Sequence, residues 1–551
     1  MSDSPQRIKR PIGFRGVFRN DLDACAVYSE SAAVARMMPL AVAVPLTTDD
    51  IATLMGWATA NHISLVPRGA GSSMGGGAVG AGVIVDLFRL DALSLVNFST
   101  QRITAGAAVT RDRVELAANA AGLIFPVDPA SGAFATIGGM CATNAAGART
   151  VKYGAMREWV HAIDCIFADG SRARLERGAA APQVAPINRF LREVAPRIDA
   201  VAPELLRHAD VRKESSGYAL AAYRESRDLI DLLIGSEGTL GVIISAELKL
   251  TPLPAATAGI LAGFPDLEGA VAAAGRLTTA GASAVELLDR SFIEIAASTG
   301  DPLPVALPTG LEAVLIIEVE AETDAAANVA AREMRGWCEA GGATFVETAI
   351  EPHEESRLWQ LRHAASPILN RLAPSLQSVQ VVEDGCVPPK HFVEYVRAAR
   401  RALADAKFRG VIFGHAGDGH AHVNALVDVT ESDWRIRLEG LVQSVTRIVA
   451  RLGGTLAGEH GDGRLRAPLL SKVWSAEAME LFAATKRAFD PDGILNPGVI
   501  LPAPGAKPLE DVKYDPKLPP LPLIARNALD RVVRERAWGK YRLDLLGSDA
   551  D

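Results

Sequence analysis

An internal repeat of strand, helix and strand limits the possible folds of this chain more than any other feature. Its first copy covers residues 260–288 and its second copy residues 311–348, each with two apolar strands around one helix. Two such units bury their apolar surface when their strands form one sheet and their helices back that sheet. The repeat therefore predicts a two-layer α+β domain of the ferredoxin-like type.

The chain is longer than one such domain and has the composition of a globular protein. It has 551 residues, of which 49% are hydrophobic and 22% charged, which predicts two or more domains. The net charge of -8 argues against nucleic acid as the main partner, and no apolar run reaches the length of a transmembrane segment. Residues 1–17 lack the apolar core of a secretory signal, and five scattered cysteines indicate a reducing compartment. We expect a cytoplasmic protein, with peripheral membrane attachment as the alternative location.

Histidines are concentrated in one glycine-rich segment, residues 413–424, which holds three of the ten in the chain. An adjacent Glu-His pair follows about forty residues later. Neutral imidazoles with one carboxylate are typical ligands of a catalytic divalent metal. We expect His415, His422 and Glu459 to hold a metal and His460 to stay free as a base. The alternative is that these histidines are hydrogen-bonded core or turn residues.

The local pattern predicts how these side chains meet. Residues 411–413 and 421–427 have the character of two short strands, and Gly417 and Gly419 allow a sharp turn between them. Alternate residues of a strand share one face, so one face of the second strand would present two imidazoles and an amide. The residues on this face are His420, His422 and Asn424.

Three segments rich in glycine and hydroxyl side chains, residues 68–77, 128–147 and 235–243, suggest a large bound ligand. Glycines let backbone N–H groups approach an anion closely, and serines add further donors. The first segment is not a dinucleotide-fold fingerprint, because Met74 stands where the third glycine would be and no helical pattern follows. Each segment alone fits a turn as well as a binding loop. Together they indicate one ligand that is held at several places.

The order and spacing of these segments resemble the FAD-binding domain of the vanillyl-alcohol oxidase superfamily over residues 39–253. The resemblance places the pyrophosphate of FAD on residues 68–73. It implies non-covalent binding, because the second loop contains only Cys141 as a residue of the type that bonds to flavin, and the first contains none. The residues that the resemblance assigns to FAD are Arg68, Gly69, Ala70, Gly71, Ser72, Ser73, Ser131, Thr136, Ile137, Gly138, Gly139, Ala142, Thr143, Asn144 and Ile243.

The repeat resembles the cap domain of one branch of that superfamily, the D-2-hydroxyacid dehydrogenases. This branch includes D-lactate dehydrogenase, the glycolate oxidase flavin subunit and D-2-hydroxyglutarate dehydrogenase. The resemblance implies an α+β protein with a vanillyl-alcohol-oxidase-type FAD-binding domain and a ferredoxin-like cap. The expected parts are a loosely structured lead-in at 1–38, the FAD-binding domain at 39–253, the cap at 254–454, a segment returning to the FAD domain at 455–502, and a Pro-rich linker with a helical tail at 503–551.

The histidine segment resembles the branch motif His-x-Gly-Asp-Gly-Asn-x-His-x-Asn. By that resemblance His415 and His422 are metal ligands, and Asn424 contacts the substrate. His420 replaces the usual asparagine, so it is expected as an extra ligand or a further substrate contact. Glu459 and His460 match the remaining metal ligand and the base.

Arg362 follows a Leu-Trp-x-Leu sequence, where the branch places an arginine that binds the substrate carboxylate. A planar guanidinium suits two-point binding of a carboxylate, although a surface helix arginine would look the same in isolation. Ser366 corresponds to a hydroxyl contact of the family. Val382 stands where D-2-hydroxyglutarate enzymes carry a lysine, which puts recognition of a second carboxylate in doubt.

We therefore predict an FAD-dependent dehydrogenase that oxidises a D-2-hydroxyacid, with Zn²⁺ as first choice of metal and Mn²⁺ or Fe²⁺ as alternatives. The expected partners are the hydroxyacid and an electron acceptor, either a quinone, an electron-transfer protein or a separate iron–sulfur subunit. A homodimer is a candidate assembly. Rival functions are a zinc hydrolase, a metal-free flavoprotein oxidase of alcohols or sugars, and a non-catalytic electron-transfer subunit.

Overall fold

The computed structural model describes residues 8–298, 303–363, 375–510 and 512–547. Strands and helices alternate along most of the chain. The strands are β1 Val17–Arg19, β2 Ala41–Val44, β3 Leu65–Arg68, β4 Val83–Asp86, β5 Arg102–Gly106, β6 Leu123–Ile124, β7 Val160–Ile166, β8 Arg172–Glu176, β9 Val242–Lys249, β10 Thr251–Pro252, β11 Ala256–Phe264, β12 Ala284–Asp289, β13 Ala313–Ala321, β14 Phe345–Ala349, β15 Leu376–Val379, β16 Asp384–Cys386, β17 Arg409–His415 and β18 His420–Asp428.

The helices differ widely in length, and the longest lie in the second half of the chain. They are Leu22–Tyr28, Thr48–Asn61, Arg111–Asn119, Ile137–Thr143, Thr150–Tyr153, Met156–Trp159, Ala185–Glu193, Ala195–Ala200, Leu220–Ser226, Ile230–Leu233, Leu267–Thr279, Arg290–Ser298, Asp324–Ala340, Pro352–His363, Phe392–Asp405, Trp434–Arg451, Gly463–Arg466, Ala476–Phe489 and Leu523–Arg534. None of the helices in the described ranges combines the length and the apolar content needed to cross a bilayer.

The first sheet has the strand order β1-β2-β4-β3, in which β2, β4 and β3 run parallel. All four residues of β2 and of β4 are buried, as expected for parallel strands covered on both faces. The first glycine-rich segment leaves the carboxyl end of β3 and leads to β4. Ligands of such sheets usually bind outside the carboxyl ends of the strands. A second, antiparallel sheet has the order β5-β9-β7-β8, and its strand β9 begins within the last two residues of the third glycine-rich segment.

The prediction of a loosely structured lead-in is wrong for residues 17–28. Strand β1 pairs with β2, and helix Leu22–Tyr28 buries its residues from Ala24 onward. The helix is too short to be stable alone, and its apolar face is covered by the tail helix Leu523–Arg534. A partner that lies about five hundred residues away in the chain leaves no local signal in the sequence.

The repeat forms the predicted ferredoxin-like sheet. Strands β11 to β14 are ordered β14-β11-β13-β12 and each neighbouring pair is antiparallel. Helices Leu267–Thr279 and Asp324–Ala340 follow the first and third of these strands and bury alanine-rich faces.

Strands β17, β18 and β15 extend this sheet beyond β12, and β16 pairs with part of β18. The predicted strands at 411–413 and 421–427 are confirmed and are longer than expected. They reach inward to His415 and His420, which stand opposite each other in the register. Gly419 has a positive φ of 73°, and a Cβ there would lie 2.3 Å from the carbonyl oxygen of Val387. The tight turn therefore requires glycine at this position.

The chain returns to the first sheet near its end. Helix Trp434–Arg451 packs its apolar stripe into the cap core, and the following segment carries Glu459 and His460 to the cavity described below. The backbone of Ile494 and Asn496 then hydrogen-bonds to Leu65 of β3. Residues after 503 are not a free linker, because the backbone N–H of Lys513 donates to Val34 and the tail helix packs against the N-terminal segment.

Candidate functional site

A cavity of about 1490 Å³ brings together all three glycine-rich segments and the inner end of the cap sheet. Most residues assigned to FAD by resemblance line this cavity. They are Arg68, Gly69, Ala70, Gly71, Ser72, Ser73, Ser131, Thr136, Gly138, Gly139, Ala142, Thr143 and Ile243. The two exceptions lie in the wall behind it. Ile137 is fully buried in the apolar core, and the side chain of Asn144 bonds to the backbone of Glu214 and Arg157.

The loop at residues 68–73 has the properties of an anion cradle. The backbone N–H groups of residues 69–74 donate no hydrogen bond to any described residue. A Cβ at Gly69 would lie 2.2 Å from Thr136 Oγ1, so the two segments approach as closely as glycine allows. Ser73 Oγ is buried and has no partner in the described part of the chain. Free donors at close backbone spacing fit the expected pyrophosphate.

Arg68 has a structural role in this loop. Its guanidinium is buried and donates to the backbone carbonyls of Tyr28, Glu30 and Ala78. Burial is the main reason why the pKa of Arg68 is lowered. The arginine therefore ties the loop to the N-terminal segment.

Three of the predicted metal ligands converge on one point. Glu459 Oε1 lies 3.3 Å from His415 Nε2 and 3.4 Å from His422 Nε2. Ligand atoms about 2.1 Å from a tetrahedral ion are about 3.4 Å apart, so these three atoms could hold one ion with little movement. Burial lowers the pKa of His422 to about 3, which keeps this imidazole neutral. The donor set therefore fits a divalent metal.

A buried carboxylate, Glu286, orients two of the predicted site residues. Strand β12 places it opposite His415 of β17. Its Oε1 lies 2.5 Å from His415 Nδ1, and its Oε2 accepts a hydrogen bond of 2.5 Å from Arg362 Nε. Burial raises the pKa of Glu286, but the charges of His415 and Arg362 outweigh it and hold the pKa at about 2. The ionised carboxylate binds the Nδ1 side of the His415 ring, so Nε2 is the nitrogen on the side of Glu459.

Arg362 lines the cavity, as a substrate-binding arginine should. Its guanidinium lies over the ring of Phe413, 4.8 Å from the centroid. Neither terminal nitrogen bonds to a described residue, so both donors remain for a ligand carboxylate. Asn424 lines the same space, and its buried Nδ2 has no partner within the described ranges. Ser366, the predicted hydroxyl contact, lies outside the described residues.

His460 is the most exposed of the site histidines, with 28% of its side chain accessible. Its Nδ1 lies 3.1 Å from Glu383 Oε1, which leaves Nε2 as the free nitrogen, 3.8 Å from Glu459 Oε1. Asp384 accepts a hydrogen bond from the backbone N–H of His460. Burial lowers the pKa of His460, but Asp384, Glu383 and Glu459 outweigh it and raise the pKa to about 9. A divalent cation on the neighbouring ligands would oppose this rise.

His420 does not line the cavity, unlike the other predicted histidines. It is fully buried, and its Nε2 lies 2.9 Å from Asp384 Oδ1. The His420 side chain packs against the backbone of Gly458. A Cβ at Gly458 would lie only 2.8 Å from His420 Nε2, so glycine is needed at this position. The position of His420 therefore does not support a contact with the substrate. A ring nitrogen of His420 does lie near the predicted metal ligands His415, His422 and Glu459, so the alternative role as an extra ligand stays a prediction.

Lys213 is a fully buried cation behind the metal cluster. Its Nζ donates to Glu459 Oε2 at 2.9 Å and to the carbonyl of Gly147 at 2.8 Å. Lys213 and His415 outweigh burial and hold the pKa of Glu459 well below its usual value. One oxygen of Glu459 is thus held by Lys213 while the other faces the histidines.

Sequence reasoning missed Glu286, Glu383 and Lys213. The only sequence signal for Glu286 was its position as an acidic residue inside an otherwise apolar strand. Glu383 directly follows Val382, which was singled out for a different reason. Lys213 lies in an irregular stretch without any motif.

Two family models match the chain. One described as "FAD binding domain" matches residues 39–176, and one described as "FAD linked oxidases, C-terminal domain" matches residues 253–500. Both overlap the segments that line the cavity. Cys141, the one cysteine in the second glycine-rich segment, is fully buried and does not line the cavity.

The chain is similar to characterised hydroxyacid enzymes. Glycolate oxidase subunit GlcD from Bacillus subtilis is 30% identical over 470 residues, which cover 84% of this chain and 88% of the relative. D-2-hydroxyglutarate dehydrogenase from Pseudomonas putida is 27% identical over 571 residues, which cover 97% of this chain and 54% of the relative. The chain thus spans about half the length of that second relative.

The fold is similar to that of a solved flavoprotein. The crystal structure of p-cresol methylhydroxylase with substrate bound superimposes with a TM-score of 0.65 at 15% sequence identity. The match covers 88% of this chain and 94% of the other. At this identity the likeness supports the fold alone, and it agrees with the predicted fold class.

Proposed function

Because the chain belongs to the family of FAD-dependent D-2-hydroxyacid dehydrogenases, we propose that it oxidises a D-2-hydroxyacid to the 2-oxoacid with the help of a divalent metal. The observation that carries this proposal is the convergence of His415, His422 and Glu459 beside the free Nε2 of His460. All four side chains line the cavity that also contains the glycine-rich loops.

The substrate carboxylate would bind Arg362. Arg362 lines the cavity with its two terminal nitrogens unbonded to any described residue, while Glu286 and the ring of Phe413 hold the side chain. Asn424 would donate its unpaired Nδ2 to a substrate oxygen. Both contacts would place the α-carbon between the metal cluster and the loops that would hold the flavin.

His460 would remove the proton of the substrate hydroxyl at Nε2. In the neutral imidazole, Nδ1 carries the proton and donates it in a hydrogen bond to Glu383. Nε2 is therefore the unprotonated nitrogen. Glu383 is itself held by the buried guanidinium of Arg466. The base therefore has a fixed orientation towards the cavity, and it would hold the abstracted proton as an imidazolium stabilised by Glu383.

Two groups would supply the chemistry that side chains lack. A metal ion on His415, His422 and Glu459 would lower the pKa of the hydroxyl, and FAD would accept the α-hydrogen with its two electrons. Two imidazoles and one carboxylate suit Zn²⁺ first, and also Mn²⁺ or Fe²⁺. Non-covalent binding of FAD is supported by Cys141, which is buried and does not line the cavity.

The similar proteins favour a small D-2-hydroxyacid of the lactate or 2-hydroxyglutarate class, although Val382 provides no cation for a second carboxylate. Electrons would leave the reduced flavin to a quinone, an electron-transfer protein or an iron–sulfur partner.

The direct test is to screen D- and L-2-hydroxyacids with an artificial dye acceptor and to measure metal and flavin content of the same preparation. We expect turnover with D-enantiomers and about one metal ion per FAD. Oxidation of alcohols or sugars by a metal-free preparation would instead support the rival flavoprotein oxidase.

A further inference from the structure

The C-terminal tail, residues 512–547, lies beyond both segments matched by the family models, and yet it lines the same cavity. Six cavity-lining residues come from its helix and the turn that follows it, and four of them are cationic or aromatic. They are Arg526, Asp530, Val533, Arg534, Arg536 and Trp538. We propose that this tail is part of the FAD site and contacts the adenosine diphosphate half of the cofactor.

The tail is fixed against the N-terminal segment. Val512 forms an antiparallel bridge with Ala35, and Arg526 pairs with the buried carboxylate of Glu30 at 3.0 Å. The N-terminal segment in turn reaches the cradle, because the backbone N–H of Ala32 donates to the carbonyl of Gly71. Residues 30–35 and the tail therefore meet at the loop expected to bind pyrophosphate.

The turn after the tail helix also packs on the second glycine-rich segment. The guanidinium of Arg536 lies 5.5 Å from the ring centroid of Phe134. A Cβ at Gly539 would be in ordinary van der Waals contact with Phe134, 3.6 Å from its Cβ. Ser131 and Thr136, on either side of Phe134, line the cavity as predicted FAD contacts. The tail and this segment therefore border the same part of the cavity.

A buried cation in the tail lies behind the cradle loop, next to the cavity but not in its lining. Arg542 is 3% exposed, and its Nη2 donates to the carbonyl of Ala70 in the cradle. Its Nε and Nη1 have no hydrogen-bond partner among the described residues. The nearby carboxylate of Asp86 accepts from Tyr28 and from the backbone of Phe88 instead. A buried guanidinium with two unpaired donors is costly unless an anion compensates its charge.

The position of the tail decides which half of FAD it would contact. The flavin ring must reach His460, and the pyrophosphate would lie on residues 68–73. The adenosine then extends from the cradle to the side away from His460. Contacts of the tail to Ala70 and Phe134 place it on that side, where its arginines suit phosphate oxygens. This inference rests on FAD filling the cavity as proposed, but it does not depend on the identity of the hydroxyacid.

The first test is a double variant, Arg534→Gln with Arg536→Gln, of the full chain. The apoprotein is titrated with FAD, and binding is followed by the change in flavin fluorescence. We expect the Kd for FAD to rise about 10-fold, with an unchanged unfolding midpoint of the apoprotein because both side chains are exposed. Lys540→Gln is the matched control, since Lys540 is exposed in the same segment but does not line the cavity.

The second test is Arg542→Met, which removes the buried charge and keeps the length of the side chain. We expect weaker FAD binding and an unfolding midpoint of the apoprotein that is equal to or higher than that of the wild type. An unchanged Kd for FAD in both variants would overturn the proposal, as would an apoprotein midpoint that falls in both variants. Wild-type protein that binds FAD tightly but oxidises no hydroxyacid would contradict the proposed function and leave this proposal standing.

Discussion

Glu286 Oε1 lies 2.5 Å from His415 Nδ1, and the same carboxylate accepts a hydrogen bond from Arg362 through its other oxygen. One buried side chain therefore orients a proposed metal ligand and the proposed substrate-binding arginine at once. Strand pairing between β12 and β17 fixes this relationship, because it places Glu286 directly opposite His415.

Replacing this carboxylate by an amide should weaken the metal site. Glu286→Gln keeps the size of the side chain but removes the charge that holds His415 Nδ1–H. Loss of such a partner typically costs about 10–100-fold in metal affinity or activity. We expect a fall of that size in metal affinity, measured by titration of the chelated protein. Glu347→Gln, on the exposed side of β14, is the matched control and should bind metal normally.

Arg362→Lys should raise KM for the hydroxyacid. A lysine keeps the charge but cannot offer two parallel donors while it is also held by Glu286. Hydrogen bonds to charged groups contribute about 1.5–3 kcal/mol, so we expect KM to rise roughly 10-fold to 100-fold. The control is Arg357→Lys, on an exposed face of the same helix. A lysine variant with an unchanged KM would show that the carboxylate binds elsewhere.

Lys213→Met should destabilise the protein most strongly when no metal is bound. Lys213 is the buried partner of Glu459, and loss of one partner of a buried ion pair costs about 3–5 kcal/mol. We expect a clear fall in the thermal unfolding midpoint after chelation and partial recovery when Zn²⁺ is added back. Equal midpoints of variant and wild type in chelator would contradict this role.

Glu383→Gln should shift the pH profile of turnover to lower pH. The pKa of His460 is raised to about 9 by Asp384, Glu383 and Glu459, against the effect of burial. A base acts when it is unprotonated, so kcat/KM should increase as pH rises through the pKa of His460, which a bound divalent cation would hold below that of the metal-free site. Loss of the Glu383 charge lowers the pKa, and the rising limb should then appear at lower pH. If the rising limb of the pH profile stays at the same pH in this variant, the contact between Glu383 and His460 does not set the pKa that the profile reports.

Features carried by local pattern were predictable from the sequence. The repeat and the two strands around Gly419 follow from apolar periodicity and turn residues. His415, His422 and Asn424 were expected together because alternate strand positions share a face. The same reasoning placed His420 on this face, but His420 bonds to Asp384 and does not line the cavity, while its role as an extra metal ligand stays a prediction.

Features that depend on distant partners were not predictable. Glu286 and Lys213 reach the site from elements that carry no motif, and only the folded chain brings them there. Strand β1 is held by β2 and helix Leu22–Tyr28 by the tail helix, and nothing in the local sequence of residues 17–28 indicates either partner. Ile137 faces the core because its helix, Ile137–Thr143, turns that side chain inward.

The most direct test of the proposed chemistry is anaerobic mixing of a D-2-hydroxyacid with FAD-loaded wild type and His460→Ala, followed by the loss of oxidised-flavin absorbance. We predict that the variant retains FAD and metal but reduces its flavin about 10²–10⁴-fold more slowly, the usual contribution of a general base. Flavin reduction at a near-normal rate in the variant would contradict the role of His460 and with it the proposed mechanism.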